Sequence, residues 1–148
     1  MGTVYTEAEI EAIGACCREN ELLLYVDGAR MGSAIAAGGA SLQTLARCAD
    51  AFTIGGTKNG ALFGEAMVLV NPALTRDFRY IMKQRGAMLA KGWLLGAQFA
   101  ALFQDNLYFD MAAHANAMAQ KLARGLAAKG YEFLYPPVSN QLFPIMRD

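Results

Sequence analysis

The chain has 148 residues, 13 Lys and Arg against 13 Asp and Glu, 55% hydrophobic residues and 18% charged ones. A chain of this size makes one domain and buries about 70% of its unfolded surface, and so apolar a composition excludes disorder. A net charge of zero leaves no global field to hold nucleic acid or an anionic membrane.

Thr6-Glu7-Ala8-Glu9 fits a capping box, which opens a helix whose apolar face is Ile10, Ile13, Ala12 and Cys16 or Cys17 and which fades near Asn20. Leu22-Leu23-Leu24-Tyr25-Val26 is a short, wholly apolar run ending in Asp27-Gly28. It reads as a strand buried on both faces, as in a parallel sheet covered by helices. Small residues from Ala29 to Ala37 predict a closely packed helix stopped by Gly38-Gly39, and Ser41 caps a short helix through Arg47. Ala51-Phe52-Thr53-Ile54 is a second buried strand, running into the loop Gly55-Gly56-Thr57-Lys58-Asn59-Gly60. Glu65 to Val70 is a third strand. The loop before it is too short for a helical crossover, so the second and third strands pair antiparallel. Helices follow at 73–84, 88–104 and 107–128. Tyr131 to Tyr135 and Gln141 to Met146 then read as strands of a further unit, the second kept near an edge by Pro144.

Ligands of parallel α/β sheets sit at the carboxyl ends of strands. Asp27 ends the first strand and Lys58 lies in the glycine-rich loop after the second, so neighbouring strands bring both towards one crevice. A lysine that loses solvation in a crevice has a lowered pKa and a nucleophilic amine. Pyridoxal phosphate needs such an amine for its Schiff base and an acid beside its pyridinium nitrogen. Lys58 and Asp27 suit those tasks; Thr57 offers the phosphate a hydroxyl, and the surrounding glycines admit a close backbone approach. Each residue also has a plainer reading. Alone, Lys58 is an exposed loop lysine, Asp27 a helix cap and Arg30 a salt-bridge partner. Arg76, Arg79 and Lys83 read as a solvated face, and His114, the one histidine, as a surface or packing residue. A phosphate-loop NTPase fails because Asn59 follows Lys58 and a strand comes next. One histidine without clustered cysteines makes no zinc site.

Tyr25 to Arg30, YVDGAR, and Asp50 to Val70, DAFTIGGTKNGALFGEAMVLV, resemble the aspartate motif and the lysine loop of the threonine aldolase and β-eliminating lyase family. The resemblance continues through KQRGAMLAKG, Lys83 to Gly92, to SNQLFPIM, Ser139 to Met146. It implies an α/β fold: part of an aminotransferase-like, fold-type I pyridoxal-phosphate domain, with a mostly parallel sheet, one antiparallel strand and helices after it. Residues 1–105 correspond to the second half of the large domain, and 106–148 to a connecting helix and the start of the small domain. The implied activity is a lyase that cleaves β-hydroxy amino acids, threonine giving glycine and an aldehyde. Lys58 would carry the cofactor and Asp27 would hold its ring nitrogen protonated. Arg30 would lie near cofactor and substrate carboxylate, where a planar guanidinium suits a bidentate pair. Arg85 and Lys91 match a basic loop that reaches cofactor phosphate across a subunit interface. Alternatives are an inactive assembly or binding subunit, β-elimination and transamination.

Family chains are more than twice this long, and no residue matches the histidine that stacks on the cofactor ring. The expectation is therefore a fragment or one half of an enzyme, acting on a small amino acid and completed by an amino-terminal half or by copies of itself in a homo-oligomer. Three cysteines, Cys16, Cys17 and Cys48, with no CxxC pair and no leader in MGTVYTEAEIE, fit a reducing cytoplasm.

Overall fold

The computed structural model describes residues 2–146. Helix α1, Glu7–Glu19, starts as expected: Thr6 Oγ1 accepts from Glu9 N at 3.3 Å while the Glu9 carboxylate accepts from Thr6 N at 2.7 Å. Strand β1 is Tyr25–Val26, followed by helices α2, Met31–Ala36, and α3, Leu42–Cys48. Ser41 caps α3 through Thr44 N at 3.2 Å, and Gly38, at φ +86°, ends the turn after α2. Strands β2, Ala51–Gly55, and β3, Glu65–Leu69, complete a sheet of order β1-β2-β3. β1 and β2 are parallel, with Val26 opposite Phe52. β2 and β3 are antiparallel, with Thr53 opposite Met67. All five residues of β2 are buried: β1 and β3 cover its edges, and α2 packs on it.

The apolar run before β1 departs from expectation. Only two of its residues join the sheet, and Leu22, Leu23 and Tyr25 are 61%, 64% and 53% exposed rather than buried. The chain leaves α1 through Glu21 in a left-handed conformation, φ 55°, with Leu22 N bonded back to Cys17 O. It reaches the ladder only at Leu24, whose carbonyl accepts from Asp50 N and Ala51 N. β1 is then an edge strand, so nothing covers its outer side among the described residues.

Helix α4, Pro72–Thr75, and helix α5, Phe78–Gln84, replace the single helix expected at 73–84, because Asp77 takes φ 56° and breaks the ladder. Helix α6 is Trp93–Phe103 rather than 88–104. Gly86, at φ 72°, and the irregular stretch after it delay its start. A kink at Asp105 and Asn106, both left-handed, leads into α7, Leu107–Ala127. The two strands expected at 131–135 and 141–146 reduce to one antiparallel bridge, Phe133 with Pro144, flanked by Leu134 N to Phe143 O and Ile145 N to Glu132 O. Proline has no amide to extend that ladder.

α1 packs on α3, and α2 packs between β2 and α7. The core gathers Ile10, Met31, Leu45, Phe52, Ile54, Leu102 and Tyr108. Ser33 of α2, Asn116 of α7 and Asn140 form a buried polar joint: Ser33 Oγ donates to Asn116 Oδ1 at 2.6 Å, and Asn140 N donates to Ser33 Oγ at 3.2 Å. Asp50 closes the amino end of the sheet. Its carboxylate accepts from Leu24 N and Asn71 Nδ2, both at 2.7 Å, and its carbonyl accepts from Val70 N. No helix among the described residues is long and apolar enough to cross a membrane.

Candidate functional site

The opposite end of the sheet carries the residues singled out from sequence. β1 and β2 are parallel neighbours, so the loops after them leave the sheet side by side. Two bonds tie them at their bases: Gly28 N donates to the Thr53 side-chain Oγ1 at 2.9 Å, and Gly55 N donates to Gly28 O at 2.9 Å. A Cβ on Gly28 would overlap the Thr53 carbonyl, and one on Gly55 the Ala29 carbonyl, so both positions require glycine. The contact joins the loop of Asp27 to the loop of Lys58.

Asp27 is exposed and its Oδ1 accepts from Ala29 N at 3.0 Å, an Asx turn. It does not cap α2; Arg30 occupies the N-cap position and makes no side-chain capping bond. The carboxylate is thus oriented by its own loop rather than spent on the helix. Asp27, Gly28 and Arg30 line a cleft of about 230 Å³ whose remaining wall is largely apolar, including Val4, Tyr5, Val26 and Met31. Arg30 is exposed and makes no ion pair among the described residues.

Lys58 sits in a turn in which Asn59 N and Ala61 N both bond to Gly56 O, at 2.9 and 3.0 Å. It is exposed and does not line the Asp27 cleft, so these residues do not supply the desolvation expected of a crevice lysine. Thr57 is exposed beside it. Arg85, at the end of α5, and Lys91, before α6, are exposed too and do not line the cleft. Asp27 and Arg30 are therefore brought together at the cleft, and Lys58 and Thr57 on the adjoining loop. Arg85 and Lys91 stand apart from that cleft. His114 is an exposed residue of α7.

Three residues that sequence reading passed over hold the lysine loop. Tyr108 of α7 is fully buried; its hydroxyl donates to Gly55 O at 2.9 Å and accepts from Gly32 N at 3.2 Å. Burial raises the Tyr108 pKa above the ordinary tyrosine value, with a smaller upward push from Glu65, while the Gly32 amide opposes them. The phenol accordingly keeps the proton it donates. Asn59 Nδ2 donates to Tyr108 O at 2.7 Å. Gln98 of α6 grips the far side of the loop, accepting from Leu62 N at 2.7 Å and donating to Phe63 O at 3.1 Å. Gly60, at φ +104°, lets the loop turn against Met111. The sequence offered only a mixed Met and aromatic stretch at 93–111, which does not say which hydroxyl reaches a carbonyl 53 residues earlier.

A family model described as beta-eliminating lyase matches residues 1–148. A low specificity L-threonine aldolase of Pseudomonas aeruginosa is 39% identical over 146 residues, which are 97% of this chain and 42% of that protein. The low specificity L-threonine aldolase of Saccharomyces cerevisiae is 29% identical over 143 residues, 96% of this chain and 36% of that protein. A solved threonine aldolase of Leishmania major superposes with a TM-score of 0.92 at 49% identity, over 95% of this chain and 42% of that one. The chain thus spans about two-fifths of the length of these relatives, and matches them over 95–97% of its own sequence. It belongs to the β-eliminating lyase family.

Proposed function

We propose that this chain forms the lysine-bearing part of a pyridoxal-phosphate lyase that cleaves β-hydroxy amino acids such as threonine into glycine and an aldehyde. The observation that carries the reading is the joined pair of loops at the carboxyl ends of two parallel neighbours, one ending in Asp27 and the other in Lys58. The likeness to threonine aldolases along nearly the whole chain supports it.

The residues fit the cofactor in kind. Lys58 offers an accessible primary amine and Thr57 a hydroxyl on the same turn. Asp27 offers a carboxylate with no capping duty, and Arg30 a guanidinium that makes no ion pair among the described residues. The chemistry pyridoxal phosphate supplies at such a site is an electron sink for the pair left on Cα when the Cα–Cβ bond breaks. The chain's own part is to attach the cofactor through Lys58 and to keep the ring nitrogen protonated through Asp27. Arg30 holds the carboxylate of a small amino-acid substrate by a bidentate pair. Arg85 and Lys91 reach phosphate of a neighbouring subunit, and the assembly is a homo-oligomer or a complex with a complementing amino-terminal half. The division at residues 105 and 106 between large-domain and small-domain portions belongs to the same proposal; the left-handed pair at the kink supports it.

A second reading, an assembly or binding subunit without turnover, is favoured by the exposure of Lys58 outside the cleft. β-Elimination and transamination use the same two loops and are separated by their products. The test is to mix the chain with pyridoxal phosphate, reduce with borohydride and map the adduct by mass spectrometry. The lyase reading expects the label on Lys58 and its loss in Lys58→Ala. A label spread over Lys83, Lys91, Lys121 and Lys129 as readily as on Lys58 refutes it.

A further inference from the structure

We infer that Tyr108, with Asn59, is a positioning clamp that sets the Lys58 turn against the Asp27 loop, an inference that rests on the lyase reading above. Tyr108 stands where three segments meet. Its hydroxyl bonds Gly55 O, the last residue of β2 before the turn, and Gly32 N in the first turn of α2, which follows the Asp27 loop. Its own carbonyl accepts from Asn59, the residue after Lys58. One side chain and one carbonyl therefore reach both ends of the Gly56–Lys58 stretch and the segment downstream of Asp27.

The surroundings leave this group no other use. Tyr108 is fully buried, its ring is 5.2 Å from Phe103 and 5.3 Å from Phe109, and it is no part of the cleft surface. A Cβ on Gly32 would lie 2.9 Å from the Tyr108 ring and 3.0 Å from Asn59 Nδ2, so ring, amide and helix start are in mutual contact. Packing alone asks only for a ring at this place. The hydroxyl satisfies two backbone groups, one at the end of β2 and one in the first turn of α2, and a phenylalanine would leave both unpaired in a buried setting. Lys58 has no anchoring bond of its own among the described residues, so the place of its amine follows from the turn that carries it.

The experiment compares wild type with Tyr108→Phe, which keeps the ring, and with Asn59→Ala, which cuts the second tie and leaves Tyr108 intact. Amide exchange is followed at Asn59 and Ala61 in the turn and at Glu65–Leu69 in β3. The clamp predicts exchange in the turn about fivefold faster in Asn59→Ala, which loses one ordinary hydrogen bond, and faster still in Tyr108→Phe, which loses two, with β3 far less affected in both. It also predicts that borohydride trapping of pyridoxal phosphate, focused on Lys58 in wild type, shifts towards the other lysines in both variants. Equal acceleration in turn and β3, or an unchanged turn in Asn59→Ala should Tyr108→Phe fail to fold, would overturn the clamp and leave Tyr108 a core residue. Absence of a Lys58 adduct in wild type speaks against the lyase reading, and the exchange comparison then still decides whether the turn is clamped.

Discussion

Asp50 shows how much one side chain can do at the amino end of a sheet. It receives the Leu24 amide before β1 and the Asn71 amide after β3, while its own residue precedes β2. Its pKa is held below the usual aspartate value, first by the Leu24 backbone amide and then by Asn71. A depressed carboxylate adds stability that is present above the unfolded pKa, about 3.9, and disappears as pH falls through the lower folded value. Glu9, lowered by the Thr6 amide and hydroxyl, and Glu7, lowered chiefly by the Ser41 hydroxyl, act in the same direction. Urea melts should therefore show stability falling below about pH 4. Asp50→Asn should lose about 1 kcal/mol or less at pH 7, since solvent screens a rim carboxylate, and should flatten the acid limb. An unaltered acid limb would mean that Asp50 does not link the strand ends. The sequence shows Asp50 only as the first residue of a motif; its partners lie 26 and 21 residues away and have no local pattern.

At the scale of elements, the sequence was most legible where local rules and packing agree. The Thr6–Glu9 box and the Ser41 cap appear where their side chains require them, and Ala51–Ile54, expected as a buried strand, lie in the fully buried β2. It failed where composition was right and the chain path was not. Leu22 and Leu23 carry strand-like side chains, yet Glu21 turns the chain so that they stay outside the ladder. Asp77 interrupts a continuous helical pattern by adopting a conformation that aspartate tolerates better than most residues. Leu45 of α3, 1% exposed, shares the central cluster with Ile10 of α1, the helix on which α3 packs. Leu45→Ala should cost about 2–5 kcal/mol in chemical denaturation, through lost burial and a residual cavity. A loss below about 1 kcal/mol would show that the helix pair closes over the gap. The Ser33–Asn116–Asn140 joint, built from residues 83 and 107 positions apart, is a further contact that no periodicity announces.

For the whole molecule, the two ends of a three-stranded sheet divide the labour. Asp50 gathers the strands at the amino end, and the glycine contact between residues 28 and 55 gathers the two loops at the carboxyl end. Side chains of β1 and α6 such as Tyr25, Trp93 and Leu94 stay exposed. Under the proposed assembly, these are side chains that a partner would cover. The Asp27 and Lys58 motifs were legible because each stands next to glycines at a strand end. Tyr108, Asn59 and Gln98 were not, because their partners are backbone groups fixed only by the fold. The proposed lyase requires Asp27 and Lys58 to serve one cofactor. The nitrogen-15 resonance of ring-labelled pyridoxal phosphate bound to the chain tests this most directly. A Lys58-linked cofactor should show a protonated ring nitrogen in wild type and an unprotonated one in Asp27→Ala; a nitrogen indifferent to Asp27 would contradict it.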